Sequence, residues 1–273
     1  MAIRVASPAW VRVDAVDPAP WRRATAARIV HRGASAVVLD ANEAPIVVTG
    51  ARFGLVPGGI QLADADFDRV RGIDSGTVRL TDWSPVVVVE ARLSIDRVRL
   101  DPLTLSTVQA ALAGAPQTPG TAGVPNPMDA TVVRRRGPRL AAAALAGEHI
   151  EAALLALVGA GPGSTPTGDD VIVGVLAGLH ALGARFAASA SSSRLPVLLG
   201  RTTRASAPYL VSATEGRFAD RVHDLLSRLD DARRVREVVR LAATWGATSG
   251  LDLLSGIAAG ALAVAGRSGK VPA

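Results

Sequence analysis

Along the first hundred residues the apolar positions come in short β-branched runs: Ser35-Ala-Val-Val-Leu39, Ile46-Val-Val-Thr49 and Val86-Val-Val-Val-Glu90, with the turn-forming Asp40-Ala-Asn-Glu43 between the first two. Such runs, bounded by Asp, Asn, Gly and Pro, predict strands and hairpins. Phe53-Gly-Leu-Val-Pro-Gly-Gly-Ile60 needs backbone positions that tolerate positive φ, which predicts a tight connection, with a ligand loop as the alternative. Beyond residue 100 the period changes. Leu103 to Leu112 predicts a helix, and the Gly and Pro density from Gly114 to Pro127 predicts an exposed linker. Leu140–Val158, Val171–Leu182, Phe218–Leu229, Asp231–Trp245 and Leu251–Ala265 then carry apolar residues at helical spacing. The expected fold is α+β: a β-rich domain over residues 1–100, a helix and linker over 101–127, and an α-helical domain of five or six helices over 128–273.

Composition narrows the chemistry. With 49% hydrophobic residues in 273, the chain can bury a sizeable core, which excludes a disordered chain. It has no cysteine, hence no disulfide, thiolate metal site or thiol nucleophile, and a reducing cytoplasm is the expected location. The N-terminus lacks the apolar run of a secretory signal and no stretch of 18 uncharged apolar residues occurs, so no membrane association is expected. The net charge of +6 is carried by arginines spread along the chain, Lys270 being the only lysine and Tyr209 the only tyrosine. Without a series of base-stacking aromatics, a nucleic-acid partner is not expected. Arg134, Arg135 and Arg136 form the one dense cluster, which reads as a solvated loop or as an anion or partner-docking patch.

The densest local signal is Gly159-Ala-Gly-Pro-Gly-Ser-Thr-Pro-Thr-Gly-Asp-Asp170, lying between two helical stretches. Gly163 to Gly168 has the spacing of a phosphate-binding Walker loop, but the lysine that loop needs is replaced by Asp169, which repels phosphate. The dinucleotide fingerprint fails as well, because Pro166 takes the place of its third glycine and the preceding segment reads as helix. A helix start remains, with Thr167 as N-cap and Asp170 completing a variant capping box. The same construction returns 82 residues further on: Thr167-Gly-Asp-Asp-Val-Ile-Val-Gly-Val-Leu-Ala-Gly178 aligns without gaps on Ser249-Gly-Leu-Asp-Leu-Leu-Ser-Gly-Ile-Ala-Ala-Gly260. Gly174 with Gly178, and Gly256 with Gly260, give each helix a GxxxG face, which predicts close packing of the two.

If the two helices cross near their starts, loops 163–170 and 246–252 place unpaired amides and hydroxyls beside one cleft, a small-anion site. Gly163, Ser164, Thr165, Thr167 and Gly168 on one side, with Thr248, Ser249 and Gly250 on the other, are its candidate binding residues. Asp169, Asp170 and Asp252 oppose an anion there, at a cost comparable to the helix-end benefit of about 0.3–1 kcal/mol. Arg201 and Arg204 are candidates to offset them, as is a magnesium ion held by one or two of the aspartates. Helix capping accounts for Asp170 and Asp252 but not for Asp169, the better functional candidate. Thr202 and Ser206 are four apart, on one face if that segment is helical. None of His31, His149, His180 and His223 falls inside these loops, and none is given a catalytic role.

Three segments together, Gly159 to Asp170, Thr202 to Phe218 and Gly246 to Gly256, resemble the AllH family of oxamate carbamoyltransferase subunits over roughly residues 140 to 265. Ser164 and Thr167 stand where the family pattern more often has Leu and Ser, and Ala247 where it more often has His. The resemblance implies exchange of a carbamoyl group between oxalurate and phosphate in purine or allantoin catabolism, with oxamate and carbamoyl phosphate on the other side. It also implies work alongside other subunits, one similar to the acyl-CoA synthetase α chain. On that reading Asp169, Asp170 and Asp252 are the candidate catalytic residues. Asp169 would bind a metal or the carbamoyl NH₂, while Arg201, Thr202 and Ser206 join the binding set. The alternative is a non-catalytic assembly or small-anion-binding subunit whose loops are structural caps.

Overall fold

A computed structural model describes residues 2–3, 11–14, 26–41, 44–73, 76–79, 86–89, 100–113 and 129–268. The chain divides into two units, Met1–Arg92 with Arg217–Arg221, and Leu93–Gly216 with Val222–Ala273.

The first unit is built on strands β1 (Ala2–Ile3), β2 (Val11–Asp14), β3 (Ala26–Arg32), β4 (Ala36–Ala41), β5 (Ala44–Gly50), β6 (Ile60–Leu62), β7 (Thr77–Arg79) and β8 (Val86–Val89). They form one mixed sheet in the order β1-β7-β3-β4-β5-β6-β2-β8. The antiparallel hairpin β4–β5 pairs Ala36 with Thr49 and Leu39 with Ile46, the β-branched runs of the sequence. Alternate residues Val37, Leu39, Ile46 and Val48 point into a core closed by Phe67 and Val70. Those last two lie on helix α1 (Asp64–Arg71), which the strand pattern did not predict. Residues 53–60 form the expected tight connection, with Gly54 and Gly58 at positive φ. Asp220 Oδ2 accepts from the Leu55 N–H at 2.9 Å, and the Asp220 N–H donates to the Leu55 carbonyl at 3.0 Å, so Arg217–Arg221 is stitched to this turn.

In the second unit, α2 (Pro102–Ala113) covers the predicted Leu103–Leu112, whereas the predicted linker 114–127 lies outside the described residues. There follow α3 (Ala130–Arg134), α4 (Gly137–Ala146), α5 (Ile150–Leu155), α6 (Thr167–Ala181), α7 (Arg185–Ser192), α8 (Ala207–Thr214), α9 (Asp220–Leu226, its first two residues counted with the first unit), α10 (Val235–Ala243) and α11 (Ser249–Ser268). The single helix expected over 140–158 is two, because Gly147 and His149 both take left-handed backbone conformations that end one helix before the next begins. The expected five or six helices are nine among the described residues; α3, α7 and α8 are short, with 5, 8 and 8 residues.

The unit is organised by α6 against α11. A Cβ at Gly174 would lie 2.1 Å from the Leu253 carbonyl oxygen, and one at Gly256 would lie 2.3 Å from that of Val171. At the next turn Gly178 meets the Ile257 carbonyl at 2.4 Å and Gly260 that of Val175 at 2.4 Å. The backbones touch, the helices run side by side from their starts, and the contacts are reciprocal under the 82-residue shift. The stretch Ser249–Arg267 is long and apolar enough to cross a membrane by length and composition, a test that core helices also pass, and half of it is buried inside the protein.

Replacing Gly178 or Gly260 by Ala should therefore destabilise the protein by about 1–3 kcal/mol through forced separation of the helices. Gly266→Ala, on the same helix with no atom within 4 Å of the added Cβ, should be neutral or gain up to about 1 kcal/mol. Urea unfolding of the three variants measures the difference.

Candidate active site at the paired helix starts

The close approach brings the two Gly-Asp corners together. Thr165 Oγ1 and Ser249 Oγ lie 2.9 Å apart, so loops 84 residues apart in sequence share a hydrogen bond. Around this contact stand Thr167, Asp170, Ser249 and Asp252, with Thr248 just before α11.

The helix starts differ from expectation. Thr167 is the first helical residue rather than the cap, since the Pro166 carbonyl accepts the N–H groups of Asp169 at 2.9 Å and Asp170 at 3.2 Å. Pro166 has the extended ψ of a cap and a proline φ compatible with it, which moves the boundary by one residue. The Thr167 hydroxyl, released from capping, is 1% exposed and makes no hydrogen bond. On the other helix the Thr248 carbonyl accepts from the Asp252 N–H at 3.0 Å.

The two glycines that match in the repeat, Gly168 and Gly250, serve packing. A Cβ at Gly168 would lie 1.9 Å from the Leu157 carbonyl oxygen and one at Gly250 2.0 Å from that of Ala242. Their amides are also committed, Gly168 N–H to the Ala160 carbonyl at 2.8 Å and Gly250 N–H to that of Trp245 at 3.1 Å. Gly163 is exposed at a φ of 101°, so it shapes the loop, while Ser164 gives its carbonyl to the Thr203 hydroxyl.

Asp169 also departs from the sequence reading. It is fully buried; Oδ1 accepts from the Gly159 N–H at 2.8 Å, and Oδ2 accepts from the Thr202 hydroxyl. A carboxylate whose two oxygens are taken up by the surrounding loops is a clamp, not a free ligand for a metal or an NH₂ group. Thr202 reaches it from extended backbone after a 3-10 turn, and Ser206 lies at the start of α8, so the two do not share one helical face. Asp169→Asn should lower stability by about 1–3 kcal/mol, because the amide turns a donor toward Gly159 or Thr202. Chemical denaturation reads this, and Thr202→Val should lose a similar amount and be non-additive with it.

The charge that offsets the acidic corner comes from a residue outside the expected set. Arg134 donates through Nε to Asp252 Oδ1, with side-chain exposures of 12% and 0%. Arg201 and Arg204, the expected candidates, are exposed. Of the arginine cluster, Arg136 donates to the Ala156 carbonyl at 2.5 Å and only Arg135 is exposed, which replaces the solvated-loop reading. Its run of three arginines was the signal, but nothing in the spacing says which one turns inward. Among the described residues no group of three His, Asp or Glu could hold a metal ion, and a cation at Asp252 would meet the Arg134 guanidinium.

Asp170 and Asp252 are the two carboxyls that remain available. Burial pushes Asp170 well above the ordinary aspartate range; the nearby Asp252 and Asp169 add to this, while the hydroxyls of Ser249 and Thr165 oppose it. Burial also raises Asp252; Arg134, the Thr248 hydroxyl and the nearby Thr167 hydroxyl, which lies outside hydrogen-bonding geometry, pull it only partly back. Tyr209, on α8, is raised by burial and by Asp170, which places a protonated phenol beside the corner. Three oxygens here are buried without a hydrogen-bond partner: Thr167 Oγ1, Asp170 Oδ2 and Asp252 Oδ2. A folded chain leaves few such atoms unsatisfied, and three at one place make this corner the candidate site.

Arg134→Ala should cost about 3–5 kcal/mol by stranding the Asp252 charge, a loss that Asp252→Asn in the same chain partly restores. A double-mutant cycle in urea measures the coupling.

Residues 157–261 match the model of a family described as oxamate carbamoyltransferase subunit AllH. The matched stretch contains both corners and supports the resemblance carried by the three motifs. No curated protein and no solved structure matches the chain.

Proposed function

We propose that this chain, in which residues 157–261 are AllH-like, is a subunit of a carbamoyltransferase and that the paired corners hold its small planar anion. The observation that carries this reading is the 2.9 Å contact between Thr165 and Ser249, with unpartnered oxygens of Thr167, Asp170 and Asp252 beside it. The N–H groups of Thr167 and Ser249, first in their helices, have no acceptor one turn earlier in the helix and add positive dipole ends.

The reaction is carbamoyl exchange between oxalurate and phosphate. A phosphate oxygen bonds to the carbamoyl carbon of oxalurate, the bond from that carbon to the oxamate nitrogen breaks, and the phosphate proton ends on the departing nitrogen. No covalent bond to the enzyme is needed, so the site's work is to orient two anions and polarise a carbonyl. Thr167, Ser249 and the helix-start amides suit the dicarbonyl end, and the Asp252 carboxylate suits its NH groups. No step is assigned to magnesium, because Arg134 occupies the place of a cation at Asp252. Such exchange fits purine or allantoin catabolism and calls for further subunits, including one similar to the acyl-CoA synthetase α chain.

Calorimetric titration of the chain, alone and assembled with its partner subunits, with oxamate, oxalurate or carbamoyl phosphate tests this. One of the three should bind, and Thr167→Val, which keeps shape and removes the hydroxyl, should weaken it roughly tenfold. Silence toward all three in both forms would make the corner a packing joint and the chain an assembly subunit.

A further inference from the structure

Asp170 and Asp252 occupy equivalent positions of the repeat, 82 residues apart, on helices whose reciprocal glycine contacts relate them by a local two-fold. Two carboxyls that face each other across such an axis, each with an oxygen shut off from water, cannot ionise together without a large cost. The surroundings break the symmetry. Arg134 sits on Asp252 alone, whereas Asp170 has the acidic Asp169 next to it where the second copy of the repeat has Leu251. The asymmetry decides which member is charged. The groups facing Asp170 are Asp169 on its own helix, Asp252 on α11 with Arg134 of α3 behind it, and the Tyr209 phenol on α8. On the other elements packed against α6, Arg139 of α4 is exposed, and Arg185 of α7 acts on His180, near the far end of the helix.

We propose that Asp170 keeps a proton at neutral pH and donates it to an anionic oxygen of the ligand, while Asp252, paired with Arg134, stays ionised. The site is then neutral enough to accept an anion between two helix N-termini, and it recognises that anion with an acid rather than a second arginine. The buried and unpartnered Asp170 Oδ2 and Thr167 Oγ1 are the two groups left to make this contact. The proton assignment stands on the geometry; its use on an anion rests on the function proposed above.

Burial raises Asp170 in the folded chain, so its contribution to stability is fully present below the unfolded aspartate value of about 3.9 and declines as pH rises through the folded value. Urea unfolding between pH 5 and 8, a window on the order of the physiological range, should show stability falling with pH in the wild type and a flatter profile in Asp170→Asn, which mimics the neutral acid. If that variant does not fold, the aspartate Cγ resonances of the wild type give the same reading: one should titrate well above the others. Titration with oxamate carried on to alkaline pH should show wild-type affinity level through neutral pH and falling up to about tenfold per pH unit once Asp170 ionises, and near-constant affinity in Asp170→Asn. A wild-type profile without the decline, an identical decline in the variant, or no high-titrating resonance would overturn the proton assignment. If the decline is present but oxamate binds at no pH, the proton stays on Asp170 and the anion role falls together with the proposed substrate.

Discussion

The second unit depends on the contact between two backbones. Four glycines let α6 and α11 approach until carbonyl oxygens lie where side chains would otherwise stand, and this fixes the two helices start to start. Every property of the corner follows from that distance. Only at such separation can Thr165 reach Ser249, and only then do Asp170 and Asp252, remote in the chain, become electrostatic neighbours. The dispersion and burial gained along the interface offset the conformational cost of glycine in helices, which is up to about 1 kcal/mol for each residue.

Holding three acids together at two paired helix starts runs against the folding of the unit, and the remaining residues contain that conflict. Arg134 neutralises one acid, and Asp169 is turned away to bind the Gly159 amide and the Thr202 hydroxyl. The third acid, Asp170, has no cationic partner among the described residues, and burial raises it well above the ordinary aspartate range. Structural sites rarely leave three buried oxygens without partners, and a unit that needed only to pack could have used Asn or Leu at the same positions.

Much of this was legible in the sequence, for physical reasons that also explain the rest. The repeat of hydroxyl, Gly, Asp and GxxxG is a direct imprint of close helix packing, so the pairing of α6 with α11 could be read from spacing alone. The β-branched runs gave away the β4–β5 hairpin in the same manner. Capping was misplaced at Thr167 because Pro166 accepts the first N–H groups through its backbone, which side-chain preferences do not report. Gly168 and Gly250 pack against carbonyls although their spacing also suits a ligand, because a glycine's sequence signature is the same whether its missing Cβ makes room for a substrate or for a carbonyl. Arg134 and Tyr209 reach the corner from separate helices, α3 and α8, and only tertiary structure reveals such contacts.

The proposed function requires both corners to face a single ligand. Amide chemical-shift mapping of the isotopically labelled chain, within its assembled complex if isolation abolishes binding, tests it most directly. On addition of oxamate the account predicts concerted shifts at Thr165–Asp170 and at Thr248–Asp252, tracking one saturation curve. Shifts confined to one corner, or centred elsewhere while both corners stay still, would contradict it.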